Sequence, residues 1–134
     1  MKLSTKSEYA CLALIDLTEN LPDGFIRIED ISKRKQIPKK YLEQILLILK
    51  RSGHLHSKQG SNGGYKLAKD PKNISVAEII RIMGGALAPV GSVSKYFHES
   101  TPIDQNKMLV KLFKDIRDFI SNKMEDTTFA DLTR

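Results

Sequence analysis

A chain of 134 residues suits one core with an appendage, since two independent cores would each bury too little surface, and its single cysteine, Cys11, excludes an intrachain disulfide and a cysteine-rich metal knuckle. The formal net charge of +6 and pI near 9.4 favour an anionic partner. No apolar run is long enough for a membrane helix, and the start, Met1 to Lys6, lacks the apolar stretch and cleavage site of a signal peptide, so a cytoplasmic protein is expected.

Thr5 with Glu8 reads as a capping box ahead of the apolar run Tyr9 to Ile15, predicting a first helix over about 5–19 that is buried on several sides. Leu21 to Gly24 is a turn, and Phe25-Ile26-Arg27-Ile28 suggests a short strand. A helix follows from Glu29, with its acids first and its bases last, as the helix dipole prefers. Gln36-Ile37-Pro38 breaks it. A third helix is predicted from Pro38 to Arg51, Pro being tolerated at a first helical position. Its apolar residues Leu42, Ile45, Leu46 and Leu49 follow the i, i+3, i+4, i+7 pattern and leave a polar face. Short helix, tight turn and polar-faced helix together spell a helix-turn-helix.

Gly53 ends the third helix, and His54 to Lys58 and Tyr65 to Leu67 alternate like two strands around the glycine-rich stretch 59–64, predicting a β-hairpin wing. Residues 27–72 hold 12 Lys and Arg against 4 acids, a net of +8, so the remainder nets −2. The positive charge therefore coincides with helix-turn-helix and wing. Ser75 with Glu78 is a second capping box opening a helix from Val76 to Met83, which Gly84-Gly85 ends. From Ala86 to Gln105 periodicity is lost and a connecting loop is expected. Helix then resumes, with Leu109, Leu112, Phe113, Ile116, Phe119 and Ile120 on one apolar stripe that needs another surface to cover it. The expected organisation is a DNA-binding domain over 1–85, a loop over 86–105, a dimerisation helix over 106–126 and a tail over 127–134. The fold class is mainly α, a winged helix-turn-helix with a small hairpin and a long C-terminal helix.

The candidate DNA contacts on the third helix are Lys39, Lys40, Tyr41, Glu43 and Gln44: glutamine can pair bidentately with adenine, glutamate can accept from cytosine, and lysine can hold phosphate or guanine. The alternative is a solvated helix face with Tyr41 tucked into the core. In the wing, Lys58, Gln59, Gly60, Ser61 and Asn62 are candidates, because an uncrowded backbone approaches a phosphate or a narrow groove closely. The same glycines are also explained by the turn itself. Cys11 reads as a small buried hydrophobe rather than a redox sensor. His54 and His56, without a nearby carboxylate or thiolate, read as surface residues rather than zinc ligands. Neither a nucleophile–base pair nor paired carboxylates are evident, and the glycine-rich stretch leads into a strand, not the helix a phosphate loop needs. The expectation is therefore a binding protein that is not an enzyme and has neither catalytic nor metal residues nor a cofactor.

Several segments resemble the Rrf-two family of bacterial winged-helix regulators, which includes the iron–sulfur cluster regulator and the cysteine-metabolism repressor. They are Met1 to Lys6 with Tyr9, Tyr41-Leu42-Glu43-Gln44-Ile45-Leu46, Gly60 with Gly63-Gly64-Tyr65-Lys66-Leu67-Ala68, Pro89-Val90, and Thr127 to Leu132. The resemblance implies a cytoplasmic homodimer paired through its long helices, a palindromic operator and repression of transcription by occluding a promoter. Many members carry three cysteines in the loop before the last helix, where they bind an iron–sulfur cluster; here that loop, Gly91 to Ser100 and including Tyr96 and Phe97, holds none, and a standard cluster is not expected. Many relatives also have Arg where this chain has Gln59, which weakens the case for minor-groove insertion there and leaves Lys58 as a poorer substitute. Partners implied are double-stranded DNA, a second copy of the chain, and a regulatory protein or small-molecule effector, with no membrane. The competing reading is a winged-helix protein–protein interaction module whose basic segment is a solvated face.

Overall fold

The computed structural model describes residues 2–85, 87–95 and 98–133. Ala86, Tyr96 and Phe97 in the expected connecting loop, and the terminal Met1 and Arg134, lie outside the described residues. Five α-helices are described, α1 (Thr5–Glu19), α2 (Ile28–Lys35), α3 (Lys39–Arg51), α4 (Val76–Ile82) and α5 (Lys107–Asp126), with a two-stranded antiparallel hairpin, β1 (Leu55–Lys58) and β2 (Gly64–Leu67), between α3 and α4. This is a winged helix-turn-helix extended by a long C-terminal helix.

α1 supplies the middle of the core. Ala10, Ala13, Leu14 and Leu17 are at most 1% exposed, and small Ala10 and Ala13 let neighbouring helices approach closely. The cap of α1 differs from the Thr5–Glu8 box: Ser4 is the N-cap and its side chain accepts from the Ser7 amide at 3.1 Å. Either hydroxyl satisfies the local pattern, and the backbone takes the one that leaves Ser7 buried and Thr5 exposed. The expected strand at Phe25–Ile28 reduces to one bridge, Ile26 to Tyr65, because Ile28 already begins α2. That bridge ties the start of the helix-turn-helix to the second wing strand.

The turn between α2 and α3 is locked without glycine. Gln36 closes α2 in the left-handed region at φ 53°, the Ile37 amide donates to the Ser32 carbonyl at 3.1 Å, and the Ser32 hydroxyl donates to the Ile37 carbonyl at 2.6 Å. Ile37 is thereby driven into the core at 2% exposure. Pro38 stands at the N-cap of α3 rather than inside its first turn. α2 is fastened to α1 by a two-pronged ion pair from the Arg34 guanidinium to buried Asp16, at 2.8 and 3.0 Å. A bidentate pair of this kind fixes orientation as well as distance.

The segment expected as a plain connecting loop contributes to packing. Leu87, Ala88, Ser92, Val93 and Ser94 are buried, and Leu87 joins Ala77 and Ile80 in a second small cluster against which Leu3 and Met124 pack. Arg117 of α5 donates to the Val93 carbonyl at 3.0 Å. The chain beyond α5 also packs: Phe129 is fully buried in the main cluster, its amide donates to Ile74 at 3.0 Å, and Thr128 bridges to Ser75. Among the described residues no helix is long and apolar enough to cross a membrane.

Candidate nucleic-acid interface

α3 divides cleanly between its two faces. Leu42, Ile45, Leu46 and Leu49 are at most 1% exposed, and their burial, about 1.5–3 kcal/mol each, sets the rotation of the helix. With that rotation fixed, Lys39, Lys40, Tyr41, Glu43 and Gln44 all stand exposed on the opposite side. Tyr41 is 54% exposed rather than tucked into the core, and its ring meets that of Tyr9 edge-on with centroids 6.0 Å apart. At the mouth of α3, Glu29 lies between Lys39 Nζ, at 3.5 Å, and Arg27 Nε, at 3.9 Å. A backbone hydrogen bond at the start of α2 holds the Glu29 carboxyl below its usual range, and Lys39 and Arg27 add to that. Glu29 therefore stays ionised and restrains Lys39 loosely, as suits an exposed pair.

The wing turns on glycines for steric reasons. Gly60 has φ 102° and Gly64 φ 141°, conformations that side chains rarely adopt. A Cβ at Gly63 would collide with the Lys58 carbonyl, and one at Gly64 with the Ile26 carbonyl. The second clash matters more, since Ile26 and Tyr65 exchange both backbone bonds, each at 2.8 Å, exactly one residue away. The tip residues Lys58, Gln59, Gly60, Ser61 and Asn62 are all exposed.

Three residues missed in the sequence also lie here. Phe25 is overlain by Lys66 Nζ at 4.7 Å and by Lys58 Nζ at 5.8 Å from its ring centre, an arrangement that steadies flexible ammonium groups. Phe25 and Arg27 line a cleft of about 410 Å³ whose far wall is Ser61, Asn62 and Gly63. Lys66 alternates outward between Tyr65 and Leu67 within the basic segment, a signal that was available; Phe25 gave none, because its partners lie more than thirty residues along the chain.

The histidine reading needs correcting. His54 is 3% exposed, lies before β1 rather than within it, and has a carboxylate partner: its Nε2 is 2.9 Å from Glu78 Oε2 and its Nδ1 2.8 Å from the Ser52 hydroxyl. Burial pushes the Glu78 carboxyl up, but hydrogen bonds from His54 and the Ser75 amide outweigh it and leave the carboxyl below its usual range. His56 is exposed. Among the described residues no three His, Cys, Asp or Glu side chains gather as metal ligands. Cys11 is half-buried, and desolvation raises its thiol to about 11.

On α5, Leu109, Leu112, Ile116 and Phe119 are exposed at 37, 51, 36 and 75%, with Met108 at 81% beside them; Phe113 and Ile120 are half-buried. A row of large side chains left open along a helix is unusual for a lone soluble chain.

Residues 3–134 match the family model Rrf2, described as an iron-dependent transcriptional regulator. The chain is 30% identical over 132 residues to the HTH-type transcriptional regulator CymR of Bacillus subtilis, covering 98% of this chain and 89% of that one. It is 43% identical over 82 residues to the HTH-type transcriptional regulator IscR of Cereibacter sphaeroides, covering 60% of this chain and 53% of that one. The solved structure of CymR, the global cysteine regulator of B. subtilis, aligns with a TM-score of 0.79 at 29% identity over 98% of this chain and 95% of that one. IscR of T. potens aligns with a TM-score of 0.74 at 27% identity, covering 98% and 85% of the two chains.

Proposed function

The chain belongs to the Rrf2 family of DNA-binding transcriptional regulators, and from that premise we propose that it acts as a cytoplasmic homodimeric repressor, reading a palindromic operator and occluding a promoter. The observation that carries this reading is the exposed polar face of α3 set beside an exposed wing tip. Glu43 and Gln44 reach base edges, while Lys39, Lys40, Lys58, Ser61 and Asn62 grip the backbone. Pairing along α5 would set two such heads about one helical turn, roughly 34 Å, apart, which requires a two-fold operator.

The family description invokes iron, so the donor set matters. Stable clusters are held chiefly by cysteine thiolates, whereas the chain's one cysteine sits in α1, and the described loop before α5 offers Ser92, His98 and Asp104 instead. This set does not fit an iron–sulfur cluster, and the reading is of a cluster-independent regulator.

Titration of chelator-treated protein against operator and scrambled duplex at several salt concentrations tests the reading. Gln44→Ala should cost about 1–3 kcal/mol on the operator and little on scrambled DNA, whereas Lys40→Ala should weaken both and flatten the salt slope by about one counterion. Equal losses for Gln44→Ala on the two duplexes would move specificity to the wing or to DNA shape. No salt-dependent retention at all would favour a protein–protein module.

A further inference from the structure

Away from the reading head, a cleft of about 460 Å³ opens between the segment preceding α5 and the first two turns of α5 itself. Its size falls within the roughly 300–1,000 Å³ of small-molecule sites. Lys107, Lys111 and Lys114 line one wall at helical spacing, with Val110 between them, and Ser92 and His98 line the other. The lysines flank the apolar stripe without belonging to it, so pairing through Leu112 and Ile116 leaves them in place.

The charges of this cleft are unbalanced. Asp104 is the acid among the lining residues, and it is engaged: Ser100 donates to it at 2.8 Å, and hydrogen bonds from Ser92 and Ser100 hold its carboxyl below the usual range. Lys111 is paired with Asp115 at 3.0 Å. Neither Lys107 nor Lys114 makes an ion pair among the described residues. Lys107 thus has no acidic partner within ion-pair distance, Lys114 shares only a longer-range attraction to Asp118, and both face the His98 imidazole across the cleft beside a paired third lysine, an arrangement in which low-dielectric walls concentrate the positive field. We propose that this cleft is a binding site for a small multivalent oxyanion of phosphate-ester size, held by Lys107 and Lys114 with His98 opposite. Lysine suits such a ligand as a movable point charge. The bound oxyanion would join the segment carrying Ser92 and His98 to α5, which gives an effector a place on the helix that carries the pairing stripe.

The test uses the full chain without DNA, with inorganic phosphate as probe, followed by amide chemical shifts and compared with sodium chloride at equal ionic strength. Saturable shifts are expected at Ser92, His98 and residues 107–114. Lys107→Ala with Lys114→Ala, both exposed and so safe for folding, should weaken saturation there at least tenfold while the remaining spectrum stays native. Lys39→Ala with Lys58→Ala should leave it unchanged, separating this cleft from any phosphate affinity of the DNA-reading face. The proposal is overturned if the shifts do not saturate, if they survive undiminished in the Lys107/Lys114 variant, or if they appear only on α3 and the wing. It does not rest on the operator-binding reading: either result here leaves the DNA titration free to succeed or fail.

Discussion

Replacing Glu78 probes the contact that ties the base of the wing to α4. Its Oε1 accepts the Ser75 amide at 2.9 Å and its Oε2 meets His54 Nε2 at 2.9 Å. Glu78→Ala removes half of the capping box, worth up to about 1 kcal/mol, and strands a ring nitrogen on a residue 3% exposed, worth about 1–3 kcal/mol. The expected loss is about 1–4 kcal/mol. Glu78→Gln keeps an acceptor for Ser75 but removes the charge and turns an amide NH2 toward His54 Nε2, which then pairs only with the ring tautomer that carries its proton on Nδ1, a difference of about 1 kcal/mol. Since the folded carboxyl titrates below its unfolded value of about 4.3, its contribution is complete above that value and is lost as the pH falls through the folded one. The gap between native and Glu78→Gln protein should therefore be full at neutral pH and close in acid, as the pH falls from the unfolded value through the lower folded one. Urea unfolding at fixed protein concentration, followed by circular dichroism at both pH values, measures it. A loss under about 0.5 kcal/mol for Glu78→Ala, or a gap to Glu78→Gln that persists unchanged in acid, would refute the reasoning.

Leu112→Glu with Ile116→Glu places two charges in the exposed stripe and should halve the mass seen by light scattering; an unaltered dimer would remove α5 as the pairing surface. Arg34→Met leaves Asp16, 1% exposed, without its guanidinium and should cost about 3 kcal/mol of unfolding free energy, whereas a neutral result would mean that water replaces the pair. Cys11, with its thiol raised to about 11, should react with iodoacetamide at neutral pH at least tenfold more slowly in the folded than in the urea-unfolded chain, even allowing for the greater intrinsic nucleophilicity of a more basic thiolate.

The parts of the fold that were legible are those where burial repeats with the period of the element. Leu42, Ile45, Leu46 and Leu49 announced both the helix and its outward face, and Ser75 with Glu78 announced a cap that forms as read. Misreadings arose where a distant partner decides. His54 continued the alternation of the strand by one residue, and only the fold brings Glu78, twenty-four positions on, to its ring. Leu87 and Val93 sit among Pro, Gly and Ser, so periodicity could not mark them as buried; their cover comes from α4 and α5. Between Ser4 and Thr5 the local chemistry was degenerate, and burial of Ser7 separates them. Phe25, with no local pattern of its own, acquires its place from lysines across the wing.

The return of the chain after α5 has a mechanical consequence. Phe129 plugs the hydrophobic interior of the reading head, and the Arg81–Glu125 ion pair and the backbone bond from Val76 to Thr127 clamp the same end of the helix. The long helix is consequently a spar welded to its head at the far end, not an arm on a swivel. Two chains joined along such spars would carry their reading surfaces as a fixed caliper, so that a small shift along the joined helices changes the span offered to DNA, and removing the last few residues would loosen the head and the caliper together.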